Sequence, residues 1–420
     1  MPARPLPTHR VTGFFPARTV LRARTLRQAL YDEGDALMAD VIVNLHGADH
    51  LARRRLENRL FRRDTFDFYE TRRLPQILDE TLQPAIERGR GDLAPLARRT
   101  MMALSIDVAG VDVGLHPTLD TVGAFELMFE LMGRLARAST VAHATGDKRA
   151  IIADGNEALA RFEAEFFDPA RARRAALVER VERGELAEDA LPRDVLTTLL
   201  RNADDLDLPD DTILREVAYF SWVGSHSTSV QLVHAMHHLF EWIERHPADR
   251  HRLRADAGLR QLFVHESLRL HPASPVARRI AVEPTDLGGG AVAAAGDVVV
   301  IDIERANRDP AAFGADPDRF DPARRRAERV PPWGLSFGSG MHACLGQELA
   351  GGHEPPAGHE LAGSHDDGAE LDAHLYGAIA IMAGALLDAG ARPDPDDRPS
   401  VDASTTRPHF GRYPVRFGPG

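Results

Sequence analysis

Phe337-Gly-Ser-Gly-Met-His-Ala-Cys-Leu-Gly346 holds the only cysteine, Cys344, in a chain of 420 residues. A single cysteine excludes an internal disulfide and any centre built from several thiolates. Three uses remain: a buried small hydrophobe, a nucleophile, or an axial metal ligand. Gly338, Gly340 and Gly346 crowd Cys344, so the backbone can turn tightly and let a flat ligand approach. Backbone N–H groups in such a turn can point at the sulfur and steady a thiolate. His342 stands two residues earlier, within reach of an anionic group. This setting favours the ligand over the other two uses.

Phe337, Gly338, Gly340, His342, Cys344 and Gly346 resemble, position for position, the haem-binding loop of the cytochrome P450 family. The resemblance implies a mainly α fold with a small β portion, forming a single domain over residues 1–420. It also implies haem b (iron protoporphyrin IX) as cofactor and Cys344 as the metal ligand. Phe337, Gly338, His342 and Gly346 would help to bind the cofactor. A thiolate ligand pushes electron density toward O–O cleavage.

Composition narrows the function classes. A formal net charge of −12 argues against nucleic acid as a partner. Lys148 is the only lysine, so the basic residues are almost all Arg, which reads as coding bias from a GC-rich genome. No stretch reaches transmembrane length, and Met1-Pro-Ala-Arg-Pro-Leu-Pro has no apolar signal core. A soluble, cytoplasmic protein with no membrane partner is expected, and a free thiolate suits a reducing compartment.

Along the chain, residues 1–20 read as irregular. Leu21 to Asp32 reads as a short helix with Leu26, Ala29 and Leu30 on one face. His50 and Arg54 lie four apart on the next helix and share a face, with Asp49 as its expected cap. By resemblance this pair holds one haem propionate and Arg279 holds a second; alone, the pair would read as an ordinary basic face. Only 49 residues precede His50, so the N-terminal β and helix region is expected to be shortened. Residues 70–110 read as two helices. Residues 118–138 and 147–168 read as a pair that covers substrate in the resembled family. The first carries Phe125, Met128, Phe129 and Met132, residue types that usually mean core.

Leu208-Pro-Asp-Asp211 opens a long helix that stops at His246-Pro247. Gly224, His226, Ser227 and Thr228 are its candidate catalytic residues. The resembled family carries an acid followed by Thr here. This chain has His226 then Ser227, or, in a register one residue on, Thr228. A hydroxyl or an imidazole can relay protons. His226 can equally be a structural histidine, a substrate contact or a second iron ligand.

Glu266 and Arg269, three apart before Pro272, share a helix face, and the resemblance implies that they meet Arg319 of Asp316-Pro-Asp-Arg319-Phe320 in a buried structural network. Residues 351–373 read as a Gly- and His-bearing loop insertion after the cysteine loop, on the side where the resembled family docks its electron donor. His353, His359 and His365 match no usual zinc spacing. Helical pattern resumes at His374, and Phe410 in the tail is a pocket candidate.

The resemblance, from about residue 20 onward, implies a monooxygenase of secondary metabolism that inserts one oxygen atom from O2 into a small organic substrate. Electrons would come from NAD(P)H through a ferredoxin-type donor and its reductase. The missing acid leaves open a peroxide-driven oxidant. His226 leaves open a haem sensor with no catalytic role.

Overall fold

The computed structural model describes residues 7–354 and 374–418, and its helices follow from where apolar side chains recur. Phe14, Ala17, Val20 and Leu21 fall on one face and are the buried residues of helix α1 (Phe14–Arg22). Then come α2 (Gly47–Glu57), α3 (Leu74–Glu87), α4 (Leu93–Ala109), α5 (Thr121–Ser139) and α6 (Lys148–Phe162). The later main helices are α7 (Asp210–Arg245), α8 (Ala257–Leu270) and α9 (Ala378–Asp388). Shorter helices and turns join them.

Helix α7 is the axis of the molecule. It runs for 36 residues. Asp210 and Asp211 sit in its first turn, where acidic groups meet the positive end of the helix dipole. Residues such as Ile213, Val217, Leu232, Met236 and Leu239 are buried along its length. Helix α4 packs against it more extensively than any other pair among the described residues, and α8 and α9 pack on it as well. No helix among these residues is long and apolar enough to cross a membrane.

The small sheet has four strands: β1 (Thr8–Val11), β2 (Leu26–Gln28), β3 (Val276–Ala281) and β4 (Val298–Asp302). Their order is β1-β4-β3-β2. β1 runs parallel to β4, and the other neighbours are antiparallel. Phe14, Leu21, Leu26, Val299, Ile301 and Leu335 form a core beside the sheet, separate from the larger helical core. Leu335 belongs to the sheet core and Phe337 packs on the helical one, so the cysteine loop bridges the two.

The N-terminal reading is corrected. Residues expected to be irregular form β1 and α1. The helix expected from Leu21 to Asp32 stops at Arg22, and Leu26–Gln28 is a strand. Leu26 and Gln28 are buried with Arg27 between them less so, a period of two, and Leu26 pairs with Ala281. Short as it is, this region supplies two of the four strands. Asp49 lies in the first turn of α2, whose N-cap is His46.

Residues 355–373, with His359 and His365, lie outside the described residues. The helix that follows the cysteine loop, Gln347–Gly351, ends there, and α9 begins at Ala378 rather than His374. His353 N donates to Leu375 O at 2.8 Å, so the two ends of the segment are side by side. Glu70 fastens the far end by accepting the N–H groups of Tyr376 and Gly377 at 3.2 and 2.6 Å.

Where α2 meets α7, two carboxyls share one cation. Arg53 Nη1 is 2.8 Å from Glu216 and 4.0 Å from Glu57, and both carboxyls are fully buried. Burial pushes Glu216 up to about 7 against the pull of Arg53 and the Ile42 N–H. Burial and then Glu216 push Glu57 well above its ordinary value. The folded chain therefore keeps protons that the unfolded chain, with glutamates at 4.5, has released. Stability falls as pH rises from 4.5 to about 7. The fall is about 1.4 kcal/mol per pH unit for each retained proton. In Glu57→Gln, denaturant titrations between about pH 5 and 7 should show a slope shallower by about one such proton.

Candidate functional site

The cysteine loop is shaped by its own backbone. Gly338 and Gly340 take positive φ of 70° and 77°, and Cys344 N donates to Phe337 O at 2.9 Å. The Gly346 N–H points at the Cys344 sulfur, and it and Arg54 favour the thiolate; burial, the larger effect, raises the thiol. Cys344 lies deep in the protein yet its side chain is uncovered, because it faces a cavity.

Behind the loop, Glu266 is held by two arginines. Arg269 binds it bidentately at 2.7 and 2.7 Å, and Arg324 Nε reaches it at 2.9 Å. Asp321 N adds a third donor at 3.0 Å. Arg269 also donates to the carbonyls of Asn307 and Pro317. Asn307 then accepts from Leu335 N at 2.7 Å and donates to Arg269 O and Ser336 Oγ. The chain entering the cysteine loop is thus tied to the end of α8. The partner expected, Arg319, is displaced by Arg324. The turn at Asp321–Arg324 points Arg324 inward, while the Arg319 side chain is 70% exposed beside Asp321.

Cys344 opens onto about 1720 Å³ of empty space, part of it continuous with solvent. His50, Arg54, Arg279 and His342 line the same cavity, as do Phe337, Gly338 and Gly346. The His50 and His342 rings are 4.4 Å apart. His50 Nδ1 and His342 Nε2 are buried without a hydrogen-bond partner among the described residues. Arg279 is 4% exposed and donates only to Gln28 Oε1 and Arg278 O. Burial lowers it to about 10. Burial, then Arg54, lowers His50 to about 4. His342 is lowered to about 3 by burial, then by Arg279 and His50. Arg54 donates to Ala343 O at 2.6 Å. No Asp or Glu is among the described residues that line this cavity.

Four basic groups with no carboxylate, two orphaned ring nitrogens and an uncovered thiol fit one kind of ligand: a flat metal macrocycle that carries carboxylates. Among the described residues no cluster of three or more His, Cys, Asp or Glu could hold a metal by itself. An iron held by Cys344 would therefore need its remaining ligands from the macrocycle. Haem meets these requirements.

Gly224, Ser227 and Thr228 line the cavity from α7. Ser227 Oγ donates to Val223 O at 3.0 Å. A Cβ at Gly224 would lie 2.8 Å from Ser105 Oγ, so this glycine lets α4 approach α7. His226 does not join these residues. Its ring faces a second cavity, where Nε2 accepts a hydrogen bond from Arg407 at 3.3 Å. Burial, then Arg407, keeps it neutral. At about 100° per residue, Ser227 turns one way and His226 the other. Phe410 also lies elsewhere, packed on His234 and Tyr413 at 5.1 and 5.1 Å.

Sequence reading missed Tyr31 and Tyr219, both half-buried on the cavity wall. Tyr31 follows β2 in an irregular segment, where no period marks an inward residue. Tyr219 lies in the long helix, one turn before Val223, which lines the same cavity.

The comparisons with known proteins agree with this geometry. The family model described as Cytochrome P450 matches residues 170–353. The chain is 37% identical to Cytochrome P450 BJ-3 of Bradyrhizobium diazoefficiens over 38% of each chain. It is 30% identical to the erythromycin C-12 hydroxylase of Saccharopolyspora erythraea over 67% of each chain. To the cyclooctat-9-en-7-ol 5-monooxygenase of Streptomyces melanosporofaciens it is 27% identical, over 76% of this chain and 71% of that one. Among solved structures, CalO2 superposes with a TM-score of 0.69 at 21% identity, covering 98% of this chain and 91% of that one. The chain belongs to the cytochrome P450 family, and its cofactor is haem b.

The Glu266 network gives a direct comparison. Arg324→Ala leaves a buried carboxylate half-paired and should cost about 3–5 kcal/mol of unfolding free energy. Arg319→Ala, at an exposed side chain, should stay within about 0.5 kcal/mol. Chemical denaturation of the two variants side by side reads the difference.

Proposed function

We propose that the protein is a haem-thiolate monooxygenase that inserts one atom of O2 into a small organic substrate. One observation carries the reading: the uncovered Cys344 shares a carboxylate-free cavity with four basic groups and with Ser227 and Thr228. Bound haem supplies dioxygen activation. The chain's residues do the rest. Cys344 would hold the iron through its sulfur. His50 and Arg54 would hold one propionate, and Arg279 and His342 the other, by charge-assisted hydrogen bonds. Leu104, Val108, Phe220 and Val223 give the cavity apolar walls that exclude water and orient an apolar substrate. Ser227 and Thr228 offer hydroxyls that donate and accept protons.

Relatives named for a macrolide and a terpenoid alcohol support a substrate from secondary metabolism. Electrons come, in this reading, from NAD(P)H through a ferredoxin-type donor and its reductase, in the cytoplasm. Residues 1–420 act as one domain, and residues 351–373 are an insertion beside the donor's docking face. Their two ends adjoin Gln347–Gly351, the helix that leaves the cysteine loop. Deleting residues 351–373 should change the rank order of reduction rates across several ferredoxins; an unchanged order removes that role.

A second reading, a peroxide-driven oxidant, draws on the absence of any Asp or Glu among the described cavity-lining residues. The haem-sensor reading with His226 on the iron has no support, because that ring faces the other cavity. One test checks the thiolate that both readings share, and a second separates them. The reduced carbon monoxide spectrum should show thiolate ligation and lose it in Cys344→Ser. Joint Ser227→Ala and Thr228→Ala should lower O2-driven product formation by about 10²-fold, the usual worth of a positioned proton donor. Peroxide-driven turnover should be spared. Wild-type turnover with hydrogen peroxide but none with O2 plus a reductase favours the second reading.

A further inference from the structure

On the other face of α7 lies a second cavity with about 710 Å³ of empty space, partly open to solvent. Ser225 and His226 line it, whereas Gly224, Ser227 and Thr228 line the first. Helices α4 and α5 give it an apolar wall through Met102, Phe129 and Met132. The opposite end is polar and cationic. Arg98, Arg137 and Arg407 line it, and Asp402 is its one carboxylate among the described residues.

Two of these arginines, Arg98 and Arg407, have no charged partner in hydrogen-bond contact among the described residues. Arg407 is 8% exposed, yet it donates only to neutral acceptors: Thr140 Oγ1 at 3.3 Å, Thr405 Oγ1 at 3.4 Å and His226 Nε2 at 3.3 Å. The bond to His226 Nε2 puts that ring's proton on Nδ1. Arg98 Nε is buried with no partner. Neither arginine has a carboxylate within 4.0 Å among the described residues. A buried guanidinium without a counter-charge is costly. Burial lowers both groups; Asp402 partly opposes it at Arg98, and Tyr31 and then Asp402 partly oppose it at Arg407. A planar anion would offset that cost, since guanidinium binds a carboxylate through paired hydrogen bonds. The neighbouring apolar wall selects an anion carried on an apolar body.

We propose that this cavity binds an organic carboxylate, its acid group between Arg98 and Arg407 and its apolar body against Phe129, Met102 and Met132. The terminal turn helps to form the site. Thr406 N donates to His143 O at 2.8 Å and Thr145 N to Ser404 O at 2.9 Å, which holds Arg407 over α7. Two sources share this chemistry: the acid end of the substrate that is oxidised, or a separate acid that regulates it.

The probe is benzoate, with benzamide as its neutral counterpart, titrated calorimetrically into the haem-loaded protein. Calorimetry reads this site whether or not the monooxygenase reading holds. Benzoate should bind and benzamide should not. Arg98→Gln and Arg407→Gln should each weaken benzoate about tenfold or more, as loss of a hydrogen bond to a charged group does. Arg407→Lys, which keeps the charge, should weaken it less and guards against misfolding of the Gln variant. A Soret shift that accompanies binding assigns the carboxylate to the oxidised substrate. Calorimetric binding with an unmoved Soret band assigns it to a regulator. Equal binding of benzamide, or full affinity in both Gln variants, overturns the proposal.

Discussion

Glu266 is a buried carboxylate with two guanidiniums and a backbone N–H on it, and much of the molecule's proximal half hangs from that arrangement. A carboxylate so deep is tolerable only when its lone pairs are filled, and here Arg269 and Arg324 fill them. The spare donors of Arg269 then reach two carbonyls, at Asn307 and Pro317, so one ion cluster holds two separate loops. Through Asn307 and Ser336 the constraint passes to the strand of chain that leads to Cys344. The sulfur's position is therefore set from behind by polar bonds, and in front by glycines that let the loop fold back. Neither part requires a contact from the cavity itself.

What could be read in the sequence followed from how regular each segment is. The cysteine loop was legible because spaced glycines around a lone cysteine imply a particular backbone. His50 and Arg54 were legible because a helix places residues four apart on one face, and Glu266 and Arg269 for the same reason at three apart. Outside regular structure that logic ends. Arg319 and Arg324 lie in an irregular turn, and no period tells which of them points inward. In the N-terminal region most of α1 was read as irregular, and a helix was read from Leu21 to Asp32 where the strand β2 stands.

His226 shows a different limit. The residues around it on α7 are buried on nearly every side, so hydropathy does not reveal which face meets which neighbour. Two adjacent positions, His226 and Ser227, look like one chemical unit in the sequence yet open onto different cavities. The helix is a partition as well as a wall. Its residues must be assigned by angle, not by adjacency.

The cluster of His50, Arg54, Arg279 and His342 has a consequence for how the protein exists in a cell. Arg54 and Arg279 stand there with no carboxylate among the described cavity residues, while His50 and His342 are held neutral, so the bare polypeptide carries unpaired charge that a dicarboxylate cofactor relieves. Folding and cofactor loading then draw on the same free energy. A ligand that binds only the folded chain adds about 4 kcal/mol at a thousandfold excess over its Kd. When haem synthesis slows, newly made chains lose that margin and become easier prey for proteases. The amount of this protein should therefore track haem supply, even when its gene is expressed at a constant rate.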